Sequence, residues 1–258
     1  MTHSKQVTQE FLDTSQYLTA SILHYEAVYG EDFVSPGGYQ MAAQLIGQLD
    51  LASGSRVLDV GCGLGGSAFV MAREFNLIVD GIDLSKNMLA IANDKLLAHG
   101  LSDRISFEWG DCLELDRAGY YDAVYSRDVF LHIENKAQLF SVLKTSLRPG
   151  GKLLFTDYCC GQKPWSEAFS VYVEDRGYCL HTLSEYAELI SKAGFKQIEY
   201  QDLTDRFINI LQSDLEKIAG LAVSESDRNL LEQSWCQKLA RSKAGDQRWG
   251  LLTAVKEG

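Results

Sequence analysis

The run Val57-Leu58-Asp59-Val60-Gly61-Cys62-Gly63-Leu64-Gly65-Gly66 decides the fold. A short apolar strand enters a glycine-rich turn, and Ser67–Phe75 reads as the helix that follows. Glycine accepts positive φ and lets a ligand approach the backbone closely. The next strand, Leu77–Asp83, ends in a carboxylate 22 residues beyond Gly61 (83 − 61 = 22). A carboxylate there can accept hydrogen bonds from ribose hydroxyls. Gly61, Gly63 and Gly66 also satisfy the dinucleotide pattern GxGxxG. Asp59 weighs against that reading, because a carboxylate beside the turn repels a pyrophosphate and suits a cationic ligand.

Outward from this turn, strand-like and helix-like segments alternate from about residue 56 to 160. Asn87–Ala98 is a second helix, Ile105–Trp109 a third strand and Tyr121–Tyr125 a fourth. Ala137–Ser146 is helical, and Arg148-Pro149-Gly150-Gly151 is expected to stop it before a fifth strand, Lys152–Asp157. This βαβ rhythm predicts an α/β fold, a parallel sheet with helices on both faces. Its fully apolar strands fit burial on both sides. Ligands of such sheets bind beyond the carboxyl ends of the strands. Residues 1–50 and 202–240 read as helical, and Phe195–Asp202 with Arg248–Lys256 predict an antiparallel pair at the end of the sheet. With no repeat, low-complexity tract or linker, one domain over 1–258 is expected. It would comprise a helical lid (1–50), a nucleoside-binding core (51–160), and substrate-binding helices with C-terminal strands (161–258).

A net charge of -11 argues against nucleic acid as a partner, since phosphate backbones need basic surfaces. It does not forbid a local basic pocket for a small anion. No apolar run approaches the ~18 residues of a membrane span, and the first ten residues lack the apolar core of a secretory signal. A cytoplasmic protein is expected. The six cysteines form no CxxC pair and have no accompanying His cluster, so no metal is expected.

The stretch VLDVGCGLGG resembles motif I of class I S-adenosylmethionine-dependent methyltransferases, and the strand ending at Asp83 resembles their motif II. Gly110-Asp111-Cys112 follows the third strand, where such enzymes contact adenine. Read alone, Asp111 fits a capped turn as well. The resemblance implies S-adenosylmethionine as cofactor, S-adenosylhomocysteine as product, and no metal. It implies a Rossmann-like fold with a seven-stranded, mostly parallel sheet in the order 3-2-1-4-5-7-6 and a helical N-terminal lid. It sets Asp59, Gly61, Gly63, Asp83, Leu84, Asp111 and Cys112 against the cofactor.

A second resemblance is more specific. The segments Ser15-Gln16-Tyr17, Tyr29–Gly38 (YGEDFVSPGG), Tyr125–His132 (YSRDVFLH), Thr156–Cys159 (TDYC) and Gln247–Gly250 (QRWG) resemble phosphoethanolamine N-methyltransferases. The likeness is to the single-domain form of malaria parasites, with related catalytic domains in plants and nematodes. It runs from about residue 10 to the C-terminus. It implies a catalytic pair, Tyr17 and His132, with Asp128 facing the amine. Gln16, Tyr25, Val34, Ser35 and Arg127 would close over the cofactor, and Tyr158, Arg176, Tyr178 and Lys238 would hold phosphate. The chemistry suits these residue types. An ammonium has no lone pair, so a base must take a proton before methyl transfer, and histidine titrates near ~6.5. Arginine offers phosphate a planar charged fork, lysine a point charge. Read alone, His132 fits a core histidine, and Arg176 with Tyr178 a solvated helix end. Two departures stand out: Pro36 occupies a place where the family pattern has serine, and 202–234 matches poorly.

The implied activity is N-methylation of phosphoethanolamine and its mono- and dimethyl forms towards phosphocholine. The expected partner is a small phosphobase, with no nucleic acid, no membrane insertion and a monomeric state. One alternative is methylation of another small amine such as glycine, sarcosine or dimethylglycine, held by a carboxylate clamp. Another is a nucleoside-binding module without turnover, against which the joint presence of Asp59, Asp83, Tyr17 and His132 argues.

Overall fold

The computed structural model describes residues 8–16 and 18–258, with the side chains of Ser15 and Gln16 left out. Seven strands form one sheet: β1 (Arg56–Val60), β2 (Ile78–Asp83), β3 (Ile105–Trp109), β4 (Tyr121–Arg127), β5 (Leu147–Cys160), β6 (Lys196–Asp202) and β7 (Gln247–Val255). Their order is β3-β2-β1-β4-β5-β7-β6. The first five run parallel, and β7 lies antiparallel between β5 and β6. Both the implied strand order and the antiparallel end pair are therefore present.

The helices are α1 (Gln9–Phe11), followed by a π-helical turn (Leu12–Gln16), α2 (Thr19–Tyr29), α3 (Gly38–Gln48), α4 (Gly66–Glu74), α5 (Lys86–His99), α6 (Lys136–Ser146), α7 (Glu167–Arg176), α8 (Leu183–Lys192), α9 (Thr204–Ala219) and α10 (Glu225–Ala244). Strand side chains alternate between two cores. Val57, Val79, Ala123 and Leu154 face α3, α4, α9 and α10. Leu58, Ile82, Val124 and Leu153 face α6 and α8. Continuous apolar strands are the sequence signature of this double burial. From β1 the chain builds outward to β3, then crosses to β4 on the other side, so β1 and β4 flank the switch point where ligands bind.

One expected boundary is corrected. Pro149-Gly150-Gly151 does not precede β5 but sits inside it. Pairing with β4 passes from Tyr121↔Leu147 to Ala123↔Lys152, and Arg148, Pro149 and Gly150 between them bulge into solvent. Gly150 takes φ +78°, and its N–H donates to Lys256 O at 2.7 Å. The tail of β7 thus satisfies the backbone that the bulge unpairs.

The N-terminal elements dock on the core through polar contacts. Asp13 accepts from Ser85 Oγ (2.5 Å) and Lys86 N (3.2 Å), covering the start of α5. Lys95 of α5 reaches Glu26 (2.6 Å) and Asp32 (2.9 Å), and His99 meets Asp32 at 2.9 Å. The poorly matching stretch 202–234 supplies α9 and half of α10, with Phe207, Leu211, Ile218 and Leu231 buried in the same core as Trp249.

Candidate active site

At the end of β1 the glycine turn folds back on β2. Gly61 N–H and Cys62 N–H both donate to Ile82 O, at 2.7 and 3.2 Å. Gly63 N–H donates to Asp83 Oδ2 and Ser85 N–H to Asp83 Oδ1, each at 2.9 Å. Asp83 therefore pins the turn while facing a cavity that Gly61 and Gly63 also line. Gly61 has φ +69°, and a Cβ there would stand 2.2 Å from Val129 Cγ2. Only glycine fits.

The cavity crosses the carboxyl ends of five strands in sheet order. Asp111 and Cys112 follow β3, and Asp83 with Leu84 closes β2. Asp128 and His132 follow β4, and Tyr158 lies in β5. Tyr25, Val34 and Ser35 wall it from the N-terminal side; Arg176 at the end of α7, Tyr178 just beyond it and Lys238 of α10 close the other side. Sixteen of the residues singled out from sequence are thus brought together (ten expected at the cofactor, two of the catalytic three, four at the phosphate). Tyr17 and the side chain of Gln16 lie outside the described residues.

Asp59 does not line the cavity. It is 2% exposed beneath the turn, and its Oδ2 has no hydrogen-bond partner among the described residues. Burial raises its pKa to about 7, the Asp83 charge adds to this, and Arg127 opposes it. Asp111 does act as a cap, accepting from Leu113 N–H at 2.9 Å, while also facing the cavity. Arg127 is buried and donates to Gly38 O (3.2 Å) and Pro36 O. It thereby fixes the loop that carries Val34 and Ser35. Pro36 serves this contact through its carbonyl, which proline retains.

Asp128 sits at φ +58°, and its Oδ1 accepts from Trp249 Nε1 at 2.7 Å. Its Oδ2 is buried with no partner among the described residues, and burial raises its pKa. His132 ends a 3-10 turn, Phe130–His132, with its ring edge-on to Tyr178 at 5.2 Å. Burial lowers its pKa to about 4, and the charges of Lys136 and Arg176 act in the same direction. The imidazole is therefore neutral at physiological pH. A buried group stands behind this turn. Cys179 N–H donates to Leu131 O at 2.7 Å, Lys136 Nζ to Cys179 O at 3.0 Å and to Ile133 O, and Tyr186 OH to Asp157.

On the far side, Lys238 is 8% exposed, and its Nζ lies 4.7 Å from the Trp235 ring centre. Burial lowers its pKa to about 8, with Arg241 and Arg176 adding. Tyr29, Tyr172 and Arg241 also line the cavity, and sequence reasoning missed them. All three stand one helical turn from a residue it found: Tyr29 four after Tyr25, Tyr172 four before Arg176, Arg241 three after Lys238. Helical spacing puts such pairs on one face, and that signal was available. Among the described residues no His, Cys, Asp and Glu cluster could hold a metal, and no helix is long and apolar enough to cross a membrane.

This sheet order, with a glycine turn and ribose-height carboxylate at its switch point, defines a class I methyltransferase. Residues 51–241 match the family model described as a methyltransferase domain. The chain belongs, more narrowly, to the phosphoethanolamine N-methyltransferase family. It is 34% identical to the Plasmodium falciparum phosphoethanolamine N-methyltransferase, over 95% of each chain. It is 42% identical to the Triticum aestivum phosphoethanolamine N-methyltransferase 1 over 96% of its own length, and spans 51% of that protein. It thus spans about half the length of the plant relatives it matches. A Haemonchus contortus phosphoethanolamine N-methyltransferase 2, solved with phosphomonomethylethanolamine and S-adenosylhomocysteine, superposes with a TM-score of 0.93 at 35% identity. That match covers 98% of this chain and 61% of the other.

Proposed function

We propose that this chain transfers methyl groups from S-adenosylmethionine to the nitrogen of phosphoethanolamine and its mono- and dimethyl forms, towards phosphocholine. One observation carries the reading: a single cavity holds a buried carboxylate oxygen, on Asp128, with no partner among the described residues, and a buried cation, Lys238. A zwitterionic phosphobase answers both. The family membership and the ligands of the Haemonchus relative support the same reading.

The residues fit S-adenosylmethionine, which supplies an electrophilic methyl carbon on a sulfonium. Gly61 and Gly63 let the ligand lie against the backbone, and Asp83 keeps lone pairs for ribose hydroxyls. Asp59, buried and under-bonded below the turn, favours a cationic amino-acid end. Leu84, Asp111 and Cys112 border the adenine side. Tyr25, Val34, Ser35 and Arg127, with Gln16, close the site and exclude water. Asp128 holds the ammonium of the acceptor. Neutral His132, paired with Tyr17, takes its proton and frees the lone pair. Tyr158, Arg176, Tyr178 and Lys238 fix the phosphate and so aim the nitrogen. The reading includes a monomeric, single-domain, cytoplasmic enzyme; sedimentation tests the first of these.

The experiment is direct. The purified chain is incubated with labelled S-adenosylmethionine and a panel of phosphoethanolamine, ethanolamine, glycine, sarcosine and dimethylglycine, and the products are read by mass spectrometry. Phosphobases should be methylated and the others not. Turnover confined to carboxylated amines would overturn the proposal.

A further inference from the structure

The cation cluster between α7 and α10 is larger than the clamp read from sequence. Arg241 lines the same cavity as Arg176 and Lys238. Its guanidinium carbon stands 3.7 Å from the centre of the Tyr172 ring, and that of Arg176 stands 5.9 Å from the same ring. Lys238 Nζ lies 4.7 Å from the Trp235 ring centre and 5.7 Å from that of Tyr158. Arg241 Nε donates to Gln247 Oε1 at 3.1 Å. Among the described residues, neither Lys238 nor Arg241 forms an ion pair with a carboxylate. Their partners are aromatic faces and a neutral amide. Such partners hold a cation in place without cancelling its charge. Burial lowers the pKa of Arg241, Arg176 adds to this, and the neighbouring tyrosines oppose it. Like charges gathered out of water are unfavourable until an anion completes them.

We infer that Arg241 contacts the substrate and determines its specificity, adding a second guanidinium fork that makes the site select a phosphomonoester over a carboxylate. The inference rests on the proposed function and names the part of that site which sets the substrate class. A phosphoryl group carries about −1.5 to −2 charge at pH 7 and three strong acceptor oxygens, whereas a carboxylate carries one charge on two oxygens. Arg176 and Lys238 meet the needs of a carboxylate. A third cation gains a partner only when a third oxygen and a second charge arrive. Gln247 occupies Nε of Arg241, which leaves its two terminal nitrogens for that oxygen. Gln247 is neutral, so Arg241 presents its full charge. Asp128, the cavity carboxylate that follows β4, is left to the amine.

The test uses Arg241→Gln and Arg241→Lys in the full chain. Loss of a charge-assisted contact should raise the KM for phosphoethanolamine about 10- to 100-fold in Arg241→Gln. The Lys variant, which keeps the charge but not the fork, should fall between. Inhibition by inorganic phosphate should weaken in parallel. S-adenosylmethionine affinity by calorimetry should hold in both variants, and kcat should change far less than KM. An unchanged KM and unchanged phosphate inhibition in both variants would overturn the assignment. So would equal loss of S-adenosylmethionine binding in both, which marks Arg241 as structural. A wild-type chain that turns over no phosphobase sinks the proposed function instead; direct calorimetry of inorganic phosphate on wild type and Arg241→Gln still reads the inference.

Discussion

Replacing Gly61 with alanine should damage the site more than the same change at Gly63, although both have positive φ. At Gly61 a Cβ would stand 2.2 Å from Val129 Cγ2, 2.7 Å from Cγ1 and 2.9 Å from Cβ, at φ +69°. A left-handed conformation costs a non-glycine residue about 1–2 kcal/mol. Overpacking adds about 1–3 kcal/mol. The sum, about 2–5 kcal/mol, is about 30- to 4,000-fold in an equilibrium constant at 1.4 kcal/mol per tenfold. At Gly63 the φ is +54° and one contact exists, Val34 Cγ2 at an ordinary 3.5 Å. Only the backbone part applies there, about 1–2 kcal/mol or 5- to 30-fold. Calorimetry with S-adenosylmethionine, alongside thermal unfolding, separates lost affinity from lost stability. Gly61→Ala combined with Val129→Ala removes both methyl clashes and should recover part of the loss, while the backbone part persists. Wild-type affinity and stability in Gly61→Ala, or an equal loss in Gly63→Ala, would refute the reasoning.

His132→Ala should lower kcat about 10²- to 10⁴-fold with S-adenosylmethionine affinity unchanged; retained turnover in a quenched assay would remove His132 from the chemistry. The folded pKa of His132, about 4, lies below its ordinary value of 6.5. Its contribution to stability is thus fully present above about 6.5 and is lost as pH falls through about 4. Denaturant midpoints measured from pH 7 to 4 should decline less in His132→Ala than in wild type, and parallel curves would contradict this. Asp59, held near 7 by burial, should ionise when a cation binds on the cavity side of the turn that covers it. Binding of S-adenosylmethionine at pH 6.5 should therefore release protons, seen as a buffer-dependent calorimetric enthalpy that Asp59→Asn abolishes.

Sequence and structure agree where local chemistry is sufficient. Gly61, Asp83 and the apolar strand between Arg56 and Val60 announce a βαβ turn because positive φ, strand burial and ribose height each demand a residue type. The bulge at Pro149-Gly150-Gly151 was not legible, since the group that satisfies it, Lys256 just after β7, lies more than a hundred residues on. Arg127 shows the same limit. Its resemblance-based place at the cofactor is compatible with lining the cavity, yet its donors go to Pro36 and Gly38, a loop contact that no local pattern encodes. The three missed residues, Tyr29, Tyr172 and Arg241, were legible in principle from helical spacing.

The electrostatics of the two halves point in opposite directions. Under the β1 turn, burial raises the pKa of Asp59 and Asp83. At α10, burial lowers that of Lys238 and Arg241. Each half is charged against the cost of desolvation and is relieved by a ligand of opposite sign. Between them stand Asp128 and a neutral His132. On the proposed function, this middle region must hold an ammonium close to a sulfonium, two like charges in a place shielded from water. Their repulsion favours the free amine, whereas the Asp128 carboxylate favours the ammonium, so approach of the sulfonium is what tips the balance towards loss of the proton. His132 is uncharged and so has a lone pair to accept the proton, while the burial that keeps it neutral also lowers its basicity. A net charge of -11 told nothing of this arrangement, because the chemistry depends on where a handful of buried charges lie and not on their sum.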